Sequence, residues 1–85
     1  MENATTMATT QATEVIDARG MACPGPLLSL IGAIRQGAVG DVIEVWSSDQ
    51  GSRTDIPAWV AKARHELVEV VDVDGYARYV VRKAR

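Results

Sequence analysis

The residues able to do chemistry in this chain are few, and they converge on one run, Cys23-Pro24-Gly25-Pro26. Cys23 is the single cysteine among 85 residues. A thiol acts as a nucleophile only as thiolate, so its surroundings decide its chemistry. Leu27, Leu30, Ile31, Ile34 and Ala38 follow at offsets that share one helix face, so a helix begins at this run. Pro24 suits the first helical position, where its fixed φ fits and its missing N–H had no partner to lose. Cys23 is then the N-cap or its neighbour, where free backbone amides and the positive end of the helix dipole favour the thiolate. Pro24 and Pro26 stiffen the approach, and Gly25 leaves room for another backbone or side chain to come close. A plainer reading makes Cys23 a small buried hydrophobe beside a Pro-Gly-Pro turn, as free cysteines often are. The turn residues argue for a loop–helix junction at the surface. The local motif alone leaves both readings open.

What the chain lacks narrows the chemistry. One cysteine excludes an internal disulfide framework, a Cys-x-x-Cys redox pair and a multi-cysteine zinc or iron–sulfur site. One histidine, His65, excludes a His-rich metal centre, and the sequence offers no metal set and no bound cofactor. A thiol hydrolase needs a His base and an orienting third group. His65 falls at the far end of a second helix and is read as structural. One activated thiol can still accept an atom or group and pass it on. Sulfur itself fits, because a persulfide needs one thiolate and no acid–base partner of its own.

The positioning elements follow from periodicity and turn residues. Residues 1–13, rich in Thr and Ala, are expected to be a flexible tail, and residues 14–85 a single domain. Glu14–Ala18 reads as a first strand stopped by Gly20. After the first helix, Gly37 and Gly40 mark its end and a turn. Val42–Trp46, nearly continuous in apolar character, reads as a central strand. Residues 47–53 form a polar loop. A second helix is expected to start near Thr54 or Asp55, either of which can cap it, with Pro57 in its first turn. Ile56, Trp59, Val60 and Ala63 then share a helix face. Leu67–Val73 and Tyr76–Arg82 form two strands joined at Asp74-Gly75, a strong hairpin signal. The order β-α-β-α-β-β predicts an α+β two-layer sandwich, both helices on one face of a four-stranded mixed sheet.

Nine Lys and Arg against eleven Asp and Glu give a net charge of −2, which argues against a nucleic-acid or other polyanion partner. The first residues lack the basic start and the roughly 7–15 apolar residues of a signal peptide. No run approaches the roughly 20 apolar residues needed to span a bilayer. A cytoplasmic protein without membrane contact is expected, in a setting that keeps a lone thiol reduced.

The run Asp17-Ala18-Arg19-Gly20-Met21-Ala22-Cys23-Pro24-Gly25-Pro26-Leu27 resembles the signature of the TusA/SirA family of small sulfur carriers, with its Cys-Pro-x-Pro motif. Asp49-Gln50-Gly51-Ser52 with Asp55-Ile56-Pro57-Ala58-Trp59 is similar to the family's second motif, and His65-Glu66-Leu67 and the closing hairpin also fit. The resemblance spans roughly residues 14–84. It implies the same two-layer fold and a persulfide on Cys23, received from a cysteine desulfurase or a rhodanese-like protein and handed to a downstream acceptor protein. The family's destinations include tRNA thiolation, molybdenum-cofactor maturation and sulfur oxidation. The protein would act as a sulfurtransferase within a relay rather than as a stand-alone turnover enzyme, with no cofactor beyond the covalently carried sulfur. Arg64 stands where some relatives have Gly.

Other residues weigh as supports. Arg19 would help hold a thiolate or persulfide anion near Cys23, or would be an ordinary solvated Arg. Gly20 supplies a tight turn. Asp49 and Asp55 would cap the second helix or present charge to a partner. Arg53, Lys62 and Arg64 form a loosely basic set able to meet an acidic partner, though such a set is more often a solvated face. Trp46, Trp59, Tyr76 and Tyr79 read as packing. The alternative function is a non-catalytic interaction or regulatory module using the same surface without sulfur chemistry.

Overall fold

Branched apolar residues fill the two strands that take the middle of the sheet, Val42–Ser47 and Tyr76–Arg82. The computed structural model describes residues 12–22 and 24–85; residues 1–11 and Cys23 lie outside the described residues. Its elements are β1 (Glu14–Asp17), α1 (Gly25–Gln36), β2 (Val42–Ser47), α2 (Ser52–Lys62), β3 (Glu66–Val73) and β4 (Tyr76–Arg82). The four strands lie in the order β1-β2-β4-β3, with β1 and β2 parallel and the other pairs antiparallel.

Alternation decides which side chains meet the helices. Ile43 and Val45 of β2 stand opposite Val81 and Tyr79 of β4 in register. These four, with Ala77, join Leu30 and Ile34 of α1 and Ile56 and Val60 of α2 in one buried cluster. Both helices therefore cover one face, as the sequence pattern predicts. A fully buried Leu, Ile or Val in such a layer contributes about 1.5–3 kcal/mol. Ala38, counted on the helical stripe, is instead exposed beyond the end of α1.

Element ends differ from expectation in ways that hydrogen bonds explain. Of the expected tail, residues 1–11 lie outside the described residues. Thr13 is tied to β2, its N–H donating to the Val42 carbonyl at 2.6 Å. β1 ends at Asp17, although the Ala18 N–H still reaches the Trp46 carbonyl at 2.9 Å. α1 starts one residue later than expected, with Pro24 as N-cap, because the Pro24 carbonyl accepts the Leu28 N–H at 2.8 Å.

α2 starts earlier than expected, at Ser52 with Gly51 as N-cap, so Pro57 lies inside the helix rather than in its first turn. The reason is a tight entry: the Ser52, Arg53 and Thr54 amides donate to the carbonyls of Asp49, Gln50 and Gly51, three residues back. Neither Thr54 nor Asp55 caps the helix through its side chain.

α2 ends in a Schellman motif. The His65 N–H donates to the Val60 carbonyl at 3.0 Å and the Arg64 N–H to the Ala61 carbonyl at 3.1 Å. The His65 ring packs on Trp59, with centroids 5.6 Å apart, which supplies the apolar contact of that motif. Arg64 takes φ +65°, a left-handed conformation suited to glycine. Arg64→Gly should therefore stabilise the fold by about 1 kcal/mol. Thermal unfolding would show this as a rise of about 4–8 °C, and an unchanged or lower Tm would contradict it.

His65 also accepts the Ala84 N–H through Nδ1 at 3.1 Å. Burial, with Lys83 and Arg85 nearby, holds its pKa below the ordinary 6.5. The folded state thus resists protonation more than the unfolded chain does. Its contribution is intact above pH 6.5 and is lost as pH falls below that value. In urea titrations the wild type should lose more stability between about pH 7.5 and 5.5 than His65→Gln, which keeps an acceptor without titrating. Parallel curves for the two proteins would contradict the assignment.

Candidate functional site

Because β1 and β2 run parallel, the loops that follow them leave the sheet at the same end. The β1–α1 loop turns at Ala18–Met21, where the Met21 N–H donates to the Ala18 carbonyl at 3.2 Å. Gly20 takes φ +85° at the third position of that turn, a conformation glycine adopts without strain. Its N–H donates to Ser48 Oγ at 2.9 Å, joining this loop to the one after β2. Met21 then lies against Gly25, where an added Cβ would come within 2.9 Å of Met21 Cε.

Cys23, the expected nucleophile, lies outside the described residues. Its sequence neighbours are fixed on both sides: the Ala22 carbonyl accepts the Gly25 N–H at 2.8 Å, and Pro24 caps α1. Pro24 is exposed, and Pro26, the second residue of the helix, is buried. Met21 and Leu28 are 44% and 59% exposed, so apolar surface flanks the loop on both sides.

Arg19 lies in the same turn, and its guanidinium is engaged with the protein. Nε and Nη2 donate to the two carboxylate oxygens of Asp17 at 2.8 and 2.7 Å. Its Cζ lies 4.9 Å from the Trp46 ring centroid and 4.8 Å from that of Tyr76. The Arg19 hydrogen bonds hold the Asp17 carboxyl down at about 2. Beneath the rings, Glu44 Oε2 accepts from both Trp46 Nε1 and Arg78 Nε at 2.6 Å. The Arg78 contact, seconded by Trp46, outweighs burial and lowers the Glu44 pKa. Trp46 and Tyr76 do pack, as the sequence suggested, but around a cation on the helix-free face.

The remaining candidates sit on the second loop and on α2. A cleft of about 230 Å³ is lined by Ser48, Asp49, Gln50, Arg53 and Tyr76 among others. Asp49 braces the loop: its Oδ2 accepts the Gly51 N–H at 3.0 Å and its own N–H donates to Ser47 Oγ at 3.2 Å. The Ser47 and Ser52 hydroxyls are hydrogen-bonded at 2.7 Å. Arg53 Nη2 pairs with Asp72 of β3 at 2.6 Å. Asp55 is exposed in the first turn of α2. Gly20, Arg19, Asp49 and Arg53 thus gather at one end of the sheet, through Ser48 and Tyr76. Ser48 is the residue that sequence reasoning missed. Its only signal was a hydroxyl immediately after a central strand.

Among the described residues, no group of three or more His, Cys, Asp or Glu could hold a metal ion. No helix among them is long and apolar enough to cross a membrane.

Comparison with known proteins places this arrangement. The family model described as sulfurtransferase TusA matches residues 14–83. A relative from Archaeoglobus fulgidus, whose name places it among sulfur carrier proteins, is 55% identical over 71 residues, covering 84% of this chain and 97% of its own. The sulfur carrier protein TusA of Pseudomonas aeruginosa is 36% identical over 69 residues, covering 81% of this chain and 87% of its own. The crystal structure of a SirA-like protein from Desulfitobacterium hafniense superposes with a TM-score of 0.76 at 23% identity, covering 86% of this chain and all of that one. That likeness shows the two-layer α+β fold.

Glu44 is the polar hub beneath the loop anchor, with its side chain 9% exposed. Glu44→Leu would leave Arg78 Nε and Trp46 Nε1 without their acceptor and should cost about 1–3 kcal/mol. Glu44→Gln, which keeps an acceptor oxygen, should cost less. Denaturant titration checks the order, and equal losses for the two variants would contradict it.

Proposed function

Because the chain belongs to the sulfurtransferase TusA family, we propose that it is a sulfur carrier whose Cys23 bears a persulfide between a donor protein and an acceptor protein. The observation that carries this reading is the chain's single cysteine, in a Cys-Pro-x-Pro run directly before the N-cap of α1. A thiol next to a helix N-terminus is favoured as thiolate. The neighbouring loop is anchored to β2 and its surroundings by short hydrogen bonds, and its flanks offer apolar surface at Met21 and Leu28.

The chemistry is an exchange at sulfur. The Cys23 thiolate attacks the outer sulfur of a donor persulfide, of the kind a cysteine desulfurase or a rhodanese-like protein bears. A bond forms between Cys23 Sγ and that sulfur, the donor's S–S bond breaks, and the donor leaves as a thiolate. The acceptor repeats the step, and Cys23 leaves as thiolate in turn. There is no net oxidation, so the exchange calls for no redox cofactor. Thiolate attack through a mixed intermediate is the general route of such exchanges. Work in a reducing, cytoplasmic compartment would keep the thiol available between transfers.

Intact mass after incubation with a cysteine desulfurase and cysteine, and separately with polysulfide, tetrathionate or thiosulfate, tests this directly. Wild type should gain a sulfur-bearing adduct that a reductant removes, and Cys23→Ser should gain none. The added mass separates a persulfide from a polysulfide or a thiosulfonate. No adduct from any donor, on folded protein with a titratable thiol, would sink the carrier reading in favour of a non-catalytic interaction module.

A further inference from the structure

The turn that leads into Cys23 is gripped from two directions. On one side, the Arg19 side chain reaches back to Asp17 of β1 with two hydrogen bonds of 2.8 and 2.7 Å. The same guanidinium lies over Trp46 of β2 and Tyr76 of β4, whose rings are 5.6 Å apart. Three strands thus hold one side chain. On the other side, the next residue, Gly20, gives its N–H to Ser48 Oγ from the β2–α2 loop, 28 positions away in sequence. Both contacts fall within four residues of Cys23, and between them and the thiol the chain is short. It continues as Met21, packed on Gly25, and Ala22, whose carbonyl accepts the Gly25 N–H.

We propose that Arg19 and Ser48 are positioning residues for the Cys23 thiol: Arg19 clamps the loop through Asp17, Trp46 and Tyr76, and Ser48 clamps it through the Gly20 amide. The inference rests on the reading of Cys23 as the sulfur-bearing group. It concerns where that thiol is held, and so it can be tested without any sulfur donor. The guanidinium works through shape as well as charge. Its fork matches a carboxylate and its flat faces stack on rings, whereas a lysine ammonium supplies a point charge with neither property. This separates the clamp from a role in which Arg19 simply lends positive charge to an anion on sulfur, because Arg19→Lys keeps the charge and loses the clamp. Ser48→Thr likewise keeps the hydroxyl, whereas Ser48→Ala removes it.

The test is the rate of Cys23 alkylation by iodoacetamide as a function of pH, on the full chain. Arg19→Ala, Arg19→Lys, Ser48→Ala and Ser48→Thr would be compared with wild type. Arg82→Ala serves as the control for general loss of stability, since it breaks a surface pair with Glu66 at the start of β3. If a thiolate beside the helix terminus depends on the loop being held, loosening the loop should move the inflection towards the ordinary cysteine value of about 8.5. At neutral pH the rate should fall about threefold or more in Arg19→Ala, Arg19→Lys and Ser48→Ala. Ser48→Thr and Arg82→Ala should keep the wild-type profile. Superimposable profiles for all five variants would overturn the proposal. A wild-type profile in Arg19→Lys alongside a shifted one in Arg19→Ala would overturn the Arg19 clamp in favour of bare charge. If the profiles shift as expected while no donor loads sulfur onto wild type, the carrier reading fails and the clamp stands.

Discussion

The parallel pairing of β1 with β2 is the constraint from which the rest of the molecule follows. Two parallel neighbours cannot be joined by a tight turn, so a crossover is obligatory, and α1 is that crossover. It buries Leu30 and Ile34 on the sheet, and its N-terminus returns to the end where β1 stops. β2 stops at the same end, which brings the start of α2 there too. The turn at Ala18–Met21 and the Ser48–Gly51 loop, far apart in sequence, are neighbours for that reason. The hydrogen bond from Gly20 to Ser48 is the direct consequence. The antiparallel β4 completes the arrangement by lying beside β2 and setting Tyr76 next to Trp46.

The two faces of the sheet are stabilised by different physics. Under the helices, burial of Ile43, Val45, Ala77, Tyr79 and Val81 needs only complementary shape. Among the described residues no helix covers the other face, yet Val42 and Val80 on it are 9% and 3% exposed. In register, Val42 stands opposite Arg82 and Val80 opposite Glu44. On this face Glu44, Trp46, Arg78, Tyr76, Arg19 and Asp17 form a chain of hydrogen bonds and ring contacts that draws on three strands. Such a network is costly when half satisfied, because each buried polar group loses water. At Glu44 both bonds are made, which is why the carboxylate stays ionised despite burial.

The element order, the sheet and most of the core were legible from periodicity, because burial on one face imposes it. Leu30, Ile34, Ile56 and Val60 stand where their spacing put them. The starts of the helices were less legible. Pro57 is a strong start signal, but α2 begins at Ser52 because Asp49, Gln50 and Gly51 carbonyls accept its first amides, and a polar loop does not announce such bonds. Within the candidate site, the Cys23 motif and the Gly20 turn were visible as local patterns. The partners of Arg19 were not. They come from β1, β2 and β4, and only the register that sets Trp46 against Asp17 and Arg78 reveals them. Ser48 escaped for the same reason, since its role is a single bond across 28 positions.

A group carrier makes different demands from a hydrolase, and this chain meets them with few residues. The thiol needs no general base of its own if a helix terminus favours its ionised form, so His65 is free to close the end of α2 against Trp59. On the proposed reading the thiol is met by two large partners in turn, a demand that a loop between two elements serves better than a cavity. A loop that is too free would give away the benefit of the helix terminus, since the ordering would then have to be done in every encounter. The described residues answer both demands of the proposed reading: the turn at Arg19 and Gly20 is anchored, and Met21 and Leu28 nearby in sequence are exposed. If Cys23 is the sulfur-bearing group, as proposed, the rigidity lies in the residues that precede it and the contact surface in those that flank it in sequence, so that a small sheet would serve both ends of a transfer.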